Sequence, residues 1–167
     1  MIKKIFLFFF LLILISCSNY KFVYDNVNNF NKIKGKTYLN ISGEDAEIIH
    51  AYLIKQIKNS KQDYLYKLNV ISSKSIEAKV IEEDATASKF SIKYEMNYIL
   101  IDKNNNCVIL DKEILSYSSY DSKSAGYSFG SDLSKKESSS ENIYSNINEF
   151  LNYIDTFNKN LECKNEN

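Results

Sequence analysis

Apolar and polar side chains alternate most regularly between residues 89 and 100. Most odd positions are polar, beginning with Lys89, Ser91 and Lys93, whereas the even positions are apolar. This period of two predicts a half-buried antiparallel strand with one apolar face. The apolar face comprises Phe90, Ile92, Tyr94, Met96, Tyr98 and Leu100.

Two shorter segments before it also have strand patterns. Residues 37–41 place Leu39 and Ile41 on one face, and a second strand begins near Tyr66 and continues at least to Val70. Whether that strand extends to Val80 is left open by its pattern.

A fourth strand is predicted from Cys107 to about Tyr120, after a hairpin turn at 102–106. The turn is rich in Asn, which tolerates left-handed backbone conformations. The alternation of the fourth strand breaks at 111–113, which predicts a bulge or a position at the sheet edge.

In two segments, apolar residues recur at helical spacing. The first has apolar residues at Ala46, Ile49, Leu53 and Ile57, and we expect Ser42 to supply its capping hydroxyl. The second follows a polar segment, 121–138, that we expect to be a loop, and Ser138 with Glu141 predicts its capping box. Its apolar stripe comprises Ile143, Ile147, Phe150, Ile154, Phe157 and Leu161.

The element order β-α-β-β-β-α predicts an α+β fold, an α/β sandwich. The first two strands, joined by a helix, are expected to be parallel with a right-handed crossover, and the others to form hairpins. The result is a four-stranded mixed sheet with two helices on one face, because its one apolar face needs a cover.

The N-terminal segment predicts export. Lys3 and Lys4 precede eleven apolar residues, too few for a bilayer-spanning helix of about 20 residues. The run ends in Leu-Ile-Ser-Cys, which resembles a bacterial lipobox and predicts cleavage before Cys17 and lipid attachment to that cysteine. The alternative is a plain signal peptide with a chance cysteine. Ser18, rather than Asp, favours transfer to the outer membrane.

These patterns divide the chain into four parts. We expect a lipoprotein signal peptide at 1–16, a lipidated N-terminal tether at 17–34, a folded domain at 35–161 and a flexible tail at 162–167. Two or more acyl chains give stable anchoring, so the protein is expected on the periplasmic side of the outer membrane.

Composition argues against several classes of function. The 21 basic residues, all Lys, balance 21 acidic ones, and nucleic-acid binding normally requires a basic surplus. His50 is the only histidine and lies in the first predicted helix, so neither a metal cluster nor a catalytic constellation is indicated. We expect no enzyme activity and no cofactor other than the covalent lipid.

Cys107 and Cys163 are the two cysteines without a predicted lipid. In the oxidising periplasm such a pair is often a disulfide, although two free thiols remain an alternative.

The chain resembles the LPS-assembly lipoprotein LptE family. The resemblance rests on the lipobox, the aromatic start Cys17-Ser-Asn-Tyr-Lys-Phe-Val-Tyr24, the element order, and the stretch from Ile109 through 116–122 into a long final helix. It implies a non-enzymatic protein that plugs the LptD outer-membrane β-barrel, helps it assemble, and assists insertion of lipopolysaccharide into the outer leaflet. A polar outer sheet face suits a polar barrel lumen.

Within this resemblance, Lys89, Lys93 and Lys123 are candidate contacts for lipid phosphates or acidic lumen residues. The alternative for each of them is a solvated surface lysine, which for a single lysine is the more common case.

Two other functions are compatible with the sequence. A periplasmic lipoprotein could activate a cell-wall synthase or bind an envelope polysaccharide, and an exposed apolar or aromatic patch on the outer face would favour this. A lipid-anchored hydrolase using His50 and a serine is the third, to be tested by an esterase and glycosidase screen.

Overall fold

The computed structural model describes residues 32–81, 87–122, 128–156, 161 and 163. Cys17, the predicted signal peptide and nearly all of the tether lie outside these residues. The order β-α-β-β-β-α is confirmed. The elements are β1 (Thr37–Gly43), α1 (Ala46–Ile57), β2 (Tyr66–Ile81), β3 (Ala87–Asp102), β4 (Cys107–Asp121) and α2 (Ser128–Thr156).

The four strands form one mixed sheet in the order β1-β2-β3-β4. β1 and β2 are parallel, and the other neighbours are antiparallel, as predicted. The register aligns Leu39, Leu68, Leu100 and Leu110 across all four strands, and all four side chains are buried. This row lies in the centre of the face that the helices cover.

The parallel pairing ends where the backbones of β1 and β2 approach closely. Gly43 has a φ of 98°, and a Cβ there would lie 2.0 Å from the Ser72 carbonyl oxygen. The Ser72 hydroxyl donates to the carbonyl oxygens of Ser42 and Glu44, at 3.3 and 2.5 Å. Gly43 and Ser72 together let the chain leave β1 and enter α1.

The predicted cap of α1 was wrong. Ser42 belongs to β1, and Asp45 occupies the N-cap position with a φ of 53° and no side-chain cap hydrogen bond. The carboxylate of Asp45 is instead directed to the sheet, where it accepts from Tyr94 and Lys74.

The β3–β4 connection is a tight turn, as predicted. The Asp102 carboxylate accepts hydrogen bonds from the backbone N–H of Asn104 (2.7 Å) and Asn105 (3.1 Å), and Asn106 has a φ of 50°. β4 is an edge strand, but its bulge lies at Ile109 rather than at 111–113. The extra residue lets both Ile109 and Leu110 be buried in succession.

The loop predicted at 121–138 is largely helix, because α2 begins at Ser128. Ser138 and Glu141 are therefore inside the helix and form no capping box. The added helical part has no apolar stripe and contacts β4 through polar groups. The Ser118 hydroxyl donates to the Ser138 carbonyl (3.0 Å), and the Ser138 hydroxyl donates to the Ser119 carbonyl (3.1 Å).

Both helices and one face of the sheet share a single core. It includes Ile33, two residues before the predicted domain start. The buried residues of the predicted apolar stripes are Ile49, Leu53 and Ile57 on α1 and Ile143, Ile147, Phe150 and Ile154 on α2; Phe157 lies outside the described residues. The even positions of β3 from Ile92 to Leu100 are buried as well. Among the described residues, no helix is long and apolar enough to cross a membrane.

Candidate functional site: the uncovered face of the sheet

The outer face is the side of the sheet turned away from α1 and α2. On β3 it is formed by the odd-numbered residues, including Lys89, Lys93 and Glu95. The ladder places Lys93 between Ser75 and Tyr117. Lys89 and Lys93, which are four residues apart on β3, therefore project from the same face of the sheet.

The structure places two of the three predicted lysine contacts on this face. Lys93 Nζ lies 3.2 Å from Glu95 Oε2, and this hydrogen bond raises the pKa of Lys93. Lys89 is opposite Asp121 in the ladder. Lys123 lies outside the described residues.

An apolar patch occupies the other end of the outer face. It consists of Ile71 on β2, Ile99 and Ile101 on β3, and Val108 on β4, which we call the outer patch. Ile71 pairs with Asn97, next to Ile99 along β3, and Ile101 pairs with Val108. Ile71 is 52% exposed and Val108 is 38% exposed.

Two further apolar side chains of β4 extend the exposed apolar surface. Leu115 lies opposite Glu95, and Tyr117, opposite Lys93, is 64% exposed. The outer face thus combines charged groups with apolar side chains that neither α1 nor α2 covers. Exposed apolar side chains gathered on one face make this face a candidate contact surface.

The inner face contains an organised polar contact between α2 and the sheet. Asn146 is fully buried, and its Nδ2 donates to the Ile114 carbonyl (3.0 Å) and to Ser116 Oγ (2.9 Å). Its Oδ1 accepts from the Tyr98 hydroxyl at 2.8 Å. Burial raises the pKa of Tyr98, which keeps the hydroxyl protonated and able to donate. These bonds fix the register of α2 on β3 and β4.

A second polar cluster joins α1 to the sheet. The Asp45 carboxylate accepts from Lys74 Nζ at 3.0 Å and from the Tyr94 hydroxyl, and Lys74 Nζ lies 5.3 Å from the Tyr94 ring centroid. Burial alone would raise the pKa of Asp45, but the hydrogen bonds from Tyr94 and Lys74 outweigh it and lower that pKa. The cluster is an anchoring contact, with the charges of Asp45 and Lys74 paired.

We expect Asp45→Asn to lower the free energy of unfolding by about 1–2 kcal/mol at neutral pH. This value is at the low end of the range for hydrogen bonds to charged groups, because the Asp45 side chain is 26% exposed and solvent screens its charge. Asn tolerates the left-handed backbone, so the substitution chiefly removes charge. Because the folded state holds the pKa of Asp45 below its ordinary value of 3.8, the stabilisation by the carboxylate is present above pH 3.8 and is lost as the pH falls through the folded pKa. Urea unfolding at neutral and strongly acidic pH should show that the stability difference between Asp45→Asn and the unaltered protein becomes smaller in acid.

The matched control is Glu141→Gln, an exposed position of α2, which we expect to change stability by less than about 0.5 kcal/mol. A stability difference for Asp45→Asn that is equal at both pH values would contradict the assigned role of the charge.

The structure joins Cys107 and Cys163 in a disulfide, with Cα atoms 5.6 Å apart. The bond connects the start of β4 to the segment after α2. It lies beside the β3–β4 turn and outside the core.

His50 lies on α1, beside a shallow groove of about 320 Å³ that it lines with Leu39, Asn40, Ile41, Ala46 and Glu47. No serine is present among the described residues that line this groove. Among the described residues, no group of three or more His, Cys, Asp or Glu side chains could hold a metal ion.

Two features of this site were not found from the sequence. The outer patch depends on the pairing of β2, β3 and β4, although the apolar residues Ile99 and Ile101 at odd positions of β3 were a visible signal. The contacts of Asn146 gave no signal, since asparagine is common throughout this chain.

Comparisons with solved structures reveal several bacterial lipoproteins with a similar fold. A lipoprotein from Caulobacter crescentus has a TM-score of 0.60 at 12% identity, covering 78% of this chain and 95% of that one. Rare lipoprotein B from Shewanella oneidensis has a TM-score of 0.54 at 11% identity, covering 72% and 94%. A minor lipoprotein from Acinetobacter baumannii has a TM-score of 0.54 at 12% identity, covering 74% and 92%.

No protein-family model and no curated protein sequence matches this chain. The likeness to the solved lipoproteins is therefore a likeness of fold.

Proposed function

We propose that this protein is an outer-membrane lipoprotein of the LptE type that assembles with an LptD-type β-barrel and assists the insertion of lipopolysaccharide into the outer leaflet. It acts as a structural partner and not as an enzyme, and its only cofactor is the lipid on Cys17. The observation that carries the proposal is the uncovered outer face, where lysines and exposed apolar side chains lie side by side. The shared fold with rare lipoprotein B supports it.

The outer face has the properties that binding inside a barrel requires. A barrel lumen is polar, and its wall can pair with the charged groups at Lys89 and Lys93. The outer patch and Tyr117 supply apolar contact area at the other positions. Binding spread over such a broad surface is not expected to depend on one lysine, since an exposed charge pair contributes roughly 0–1 kcal/mol.

Simultaneous reversal of Lys89, Lys93 and Lys123 to Glu is expected to reduce recovery of the barrel with this protein severely. Each change replaces attraction with repulsion at close range, and the effects accumulate. The measurement is co-purification of the barrel from outer membranes that contain each variant at matched levels. Single Lys→Ala variants should retain the barrel.

The matched control reverses three exposed lysines away from the outer face: Lys55, Lys58 and Lys136. It makes the same change in net charge and should leave the complex intact. Retention of the barrel by the variant with Lys89, Lys93 and Lys123 reversed would show that these lysines do not face it. Failure to recover any barrel with the unaltered protein would refute the LptE-type function itself.

Cys17→Ala tests the proposed anchor. The variant is expected to remain as an uncleaved precursor or to become soluble, because the acceptor of the acyl chains is gone. Mass spectrometry of the unaltered protein should find an acylated N-terminus at Cys17. An unmodified mature N-terminus at another residue would contradict lipidation.

The exposed apolar and aromatic side chains also favour a second candidate. Ile71, Leu115 and Tyr117 could bind a periplasmic cell-wall synthase, which this protein would then activate, or an envelope polysaccharide. The co-purification experiment distinguishes the two, because a synthase would replace the barrel as the dominant partner.

A further inference from the structure

The distal half of β2 has no neighbour on one side among the described residues. β1 pairs with β2 only from Tyr66 to Ser72, whereas β2 continues nine residues further, to Ile81. On its other side, β2 remains paired with β3 throughout. The sheet therefore has an open edge collinear with β1, which we call the β2 edge (73–78).

The direction of the backbone groups along this edge follows from Ser72. The Ser72 carbonyl accepts a hydrogen bond from the Glu44 N–H at 3.1 Å, so the backbone groups of Ser72 are directed to the side of β2 on which β1 lies. Backbone groups in a strand alternate direction with every residue. The N–H and C=O groups of Lys74, Ile76 and Ala78 are therefore directed to the open side.

The β2 edge has a defined end. Lys79 is an extra residue in the ladder, since Ala78 pairs with Phe90 and Val80 pairs with Lys89. Bulges and lysines are devices that stop strand pairing at sheet edges. The edge thus offers a short unprotected length between the end of β1 and this bulge.

We propose that the β2 edge binds an extended segment of a partner polypeptide as an additional antiparallel strand. Strand addition at an open edge satisfies backbone groups that otherwise bond only to water. The proposal goes beyond the proposed function, because it specifies a second contact on a different surface and does not depend on the identity of the outer-face partner.

The side chains along the edge specify the chemistry of the added strand. Ile76 and Ala78 lie on the inner side, which favours small or apolar partner residues there. Glu77 is exposed on the outer side and has no ion-pair partner among the described residues. The added strand should therefore carry a lysine or arginine opposite Glu77, because opposite charges on facing strands stabilise the pair.

A second copy of this chain fits the edge less well. Antiparallel self-pairing centred on Ile76 would place Glu77 opposite Ser75, which offers no opposite charge. Centring the pairing on Ala78 would place Glu77 opposite Lys79, but Lys79 is the extra residue of the bulge and lies outside the regular ladder. We therefore assign the edge to another polypeptide.

The test uses the full-length lipoprotein in detergent and a synthetic peptide of alternating valine and threonine with a central lysine. Amide hydrogen exchange should show free exchange at Lys74, Ile76 and Ala78 in the protein alone. Addition of the peptide should slow exchange at these amides by about tenfold or more. The same peptide, N-methylated at the nitrogens that face β2, should have no effect.

Two protein variants complete the experiment. Ile76→Pro removes an edge N–H where proline is tolerated and should abolish protection. Glu77→Lys should weaken binding of the lysine peptide and strengthen binding of a peptide with a central glutamate. Glu113→Lys, a charge reversal at an exposed position of β4, is the matched control and should change the binding of neither peptide.

Equal protection by the N-methylated peptide, or no protection by either peptide, would overturn the proposal. Protection of the three amides in the protein alone would also overturn it, because the edge would then not be open. A doubled mass that Ile76→Pro returns to the monomer value would overturn it as well, because the occupant would then be a second copy. If Ile76→Pro does not fold, the comparison of the two peptides still decides the outcome.

Discussion

Phe150→Ala is expected to lower the free energy of unfolding by about 3–5 kcal/mol, the range for removal of a large aromatic side chain from a packed core. Phe150 is fully buried on α2, and its ring stacks on that of Tyr98 with centroids 3.9 Å apart and planes inclined by 9°. Tyr98 also donates to Asn146 of the same helix. Loss of the Phe150 ring therefore weakens the contact that attaches α2 to the centre of the sheet.

Urea unfolding of the variant and the unaltered protein measures this effect. The control is Tyr117→Ala, which removes an aromatic ring from the exposed outer face and should change stability by less than about 0.5 kcal/mol. Similar losses for the two variants would mean that the faces of the sheet have been assigned incorrectly.

Removal of the Cys107–Cys163 disulfide is expected to cost about 4 kcal/mol. The two residues are separated by 56 positions, and the chain-entropy model assigns about this value to a loop of that length. The bond restricts the unfolded chain and ties the segment after α2 to the beginning of β4. Replacement of both cysteines by serine should lower the stability of the oxidised protein by this amount.

Thermal unfolding with and without a reducing agent tests the disulfide. The unaltered protein should lose stability on reduction, whereas the double serine variant should show no response to the reducing agent. Titration of free thiols in the native, lipidated protein provides a second measurement. Recovery of two reactive thiols without reduction would contradict the bond.

The sequence by itself determined the elements whose pattern is local. The alternation from Phe90 to Leu100 predicted the central part of β3, which spans Ala87–Asp102, and its buried face from Ile92 to Leu100. The spacing of Ile49, Leu53 and Ile57 predicted the helix α1 and its buried face, although not its first residue. A strand or an amphipathic helix must direct its apolar residues to one side, and that requirement is visible in one segment without knowledge of its neighbours.

Local pattern also located part of the candidate site. Lys89 and Lys93 share the parity of the polar positions of β3, so their common face was predictable. The outer patch was not, because its four residues come from three strands. Only the pairing of Ile101 with Val108, and of Ile71 with Asn97 beside Ile99, brings them together.

The beginning of α2 and the end of β1 were decided by tertiary structure alone. The first part of α2 has no apolar stripe, and so its residues were predicted as loop. It is positioned by hydrogen bonds in which the Ser118 hydroxyl donates to the Ser138 carbonyl and the Ser138 hydroxyl donates to the Ser119 carbonyl. Asp45, rather than Ser42, begins α1 because Ser72 holds the chain against β2 until Gly43. Hydrogen bonds between distant segments leave no periodic trace in the sequence, and for that reason the tertiary structure was needed to reveal these boundaries.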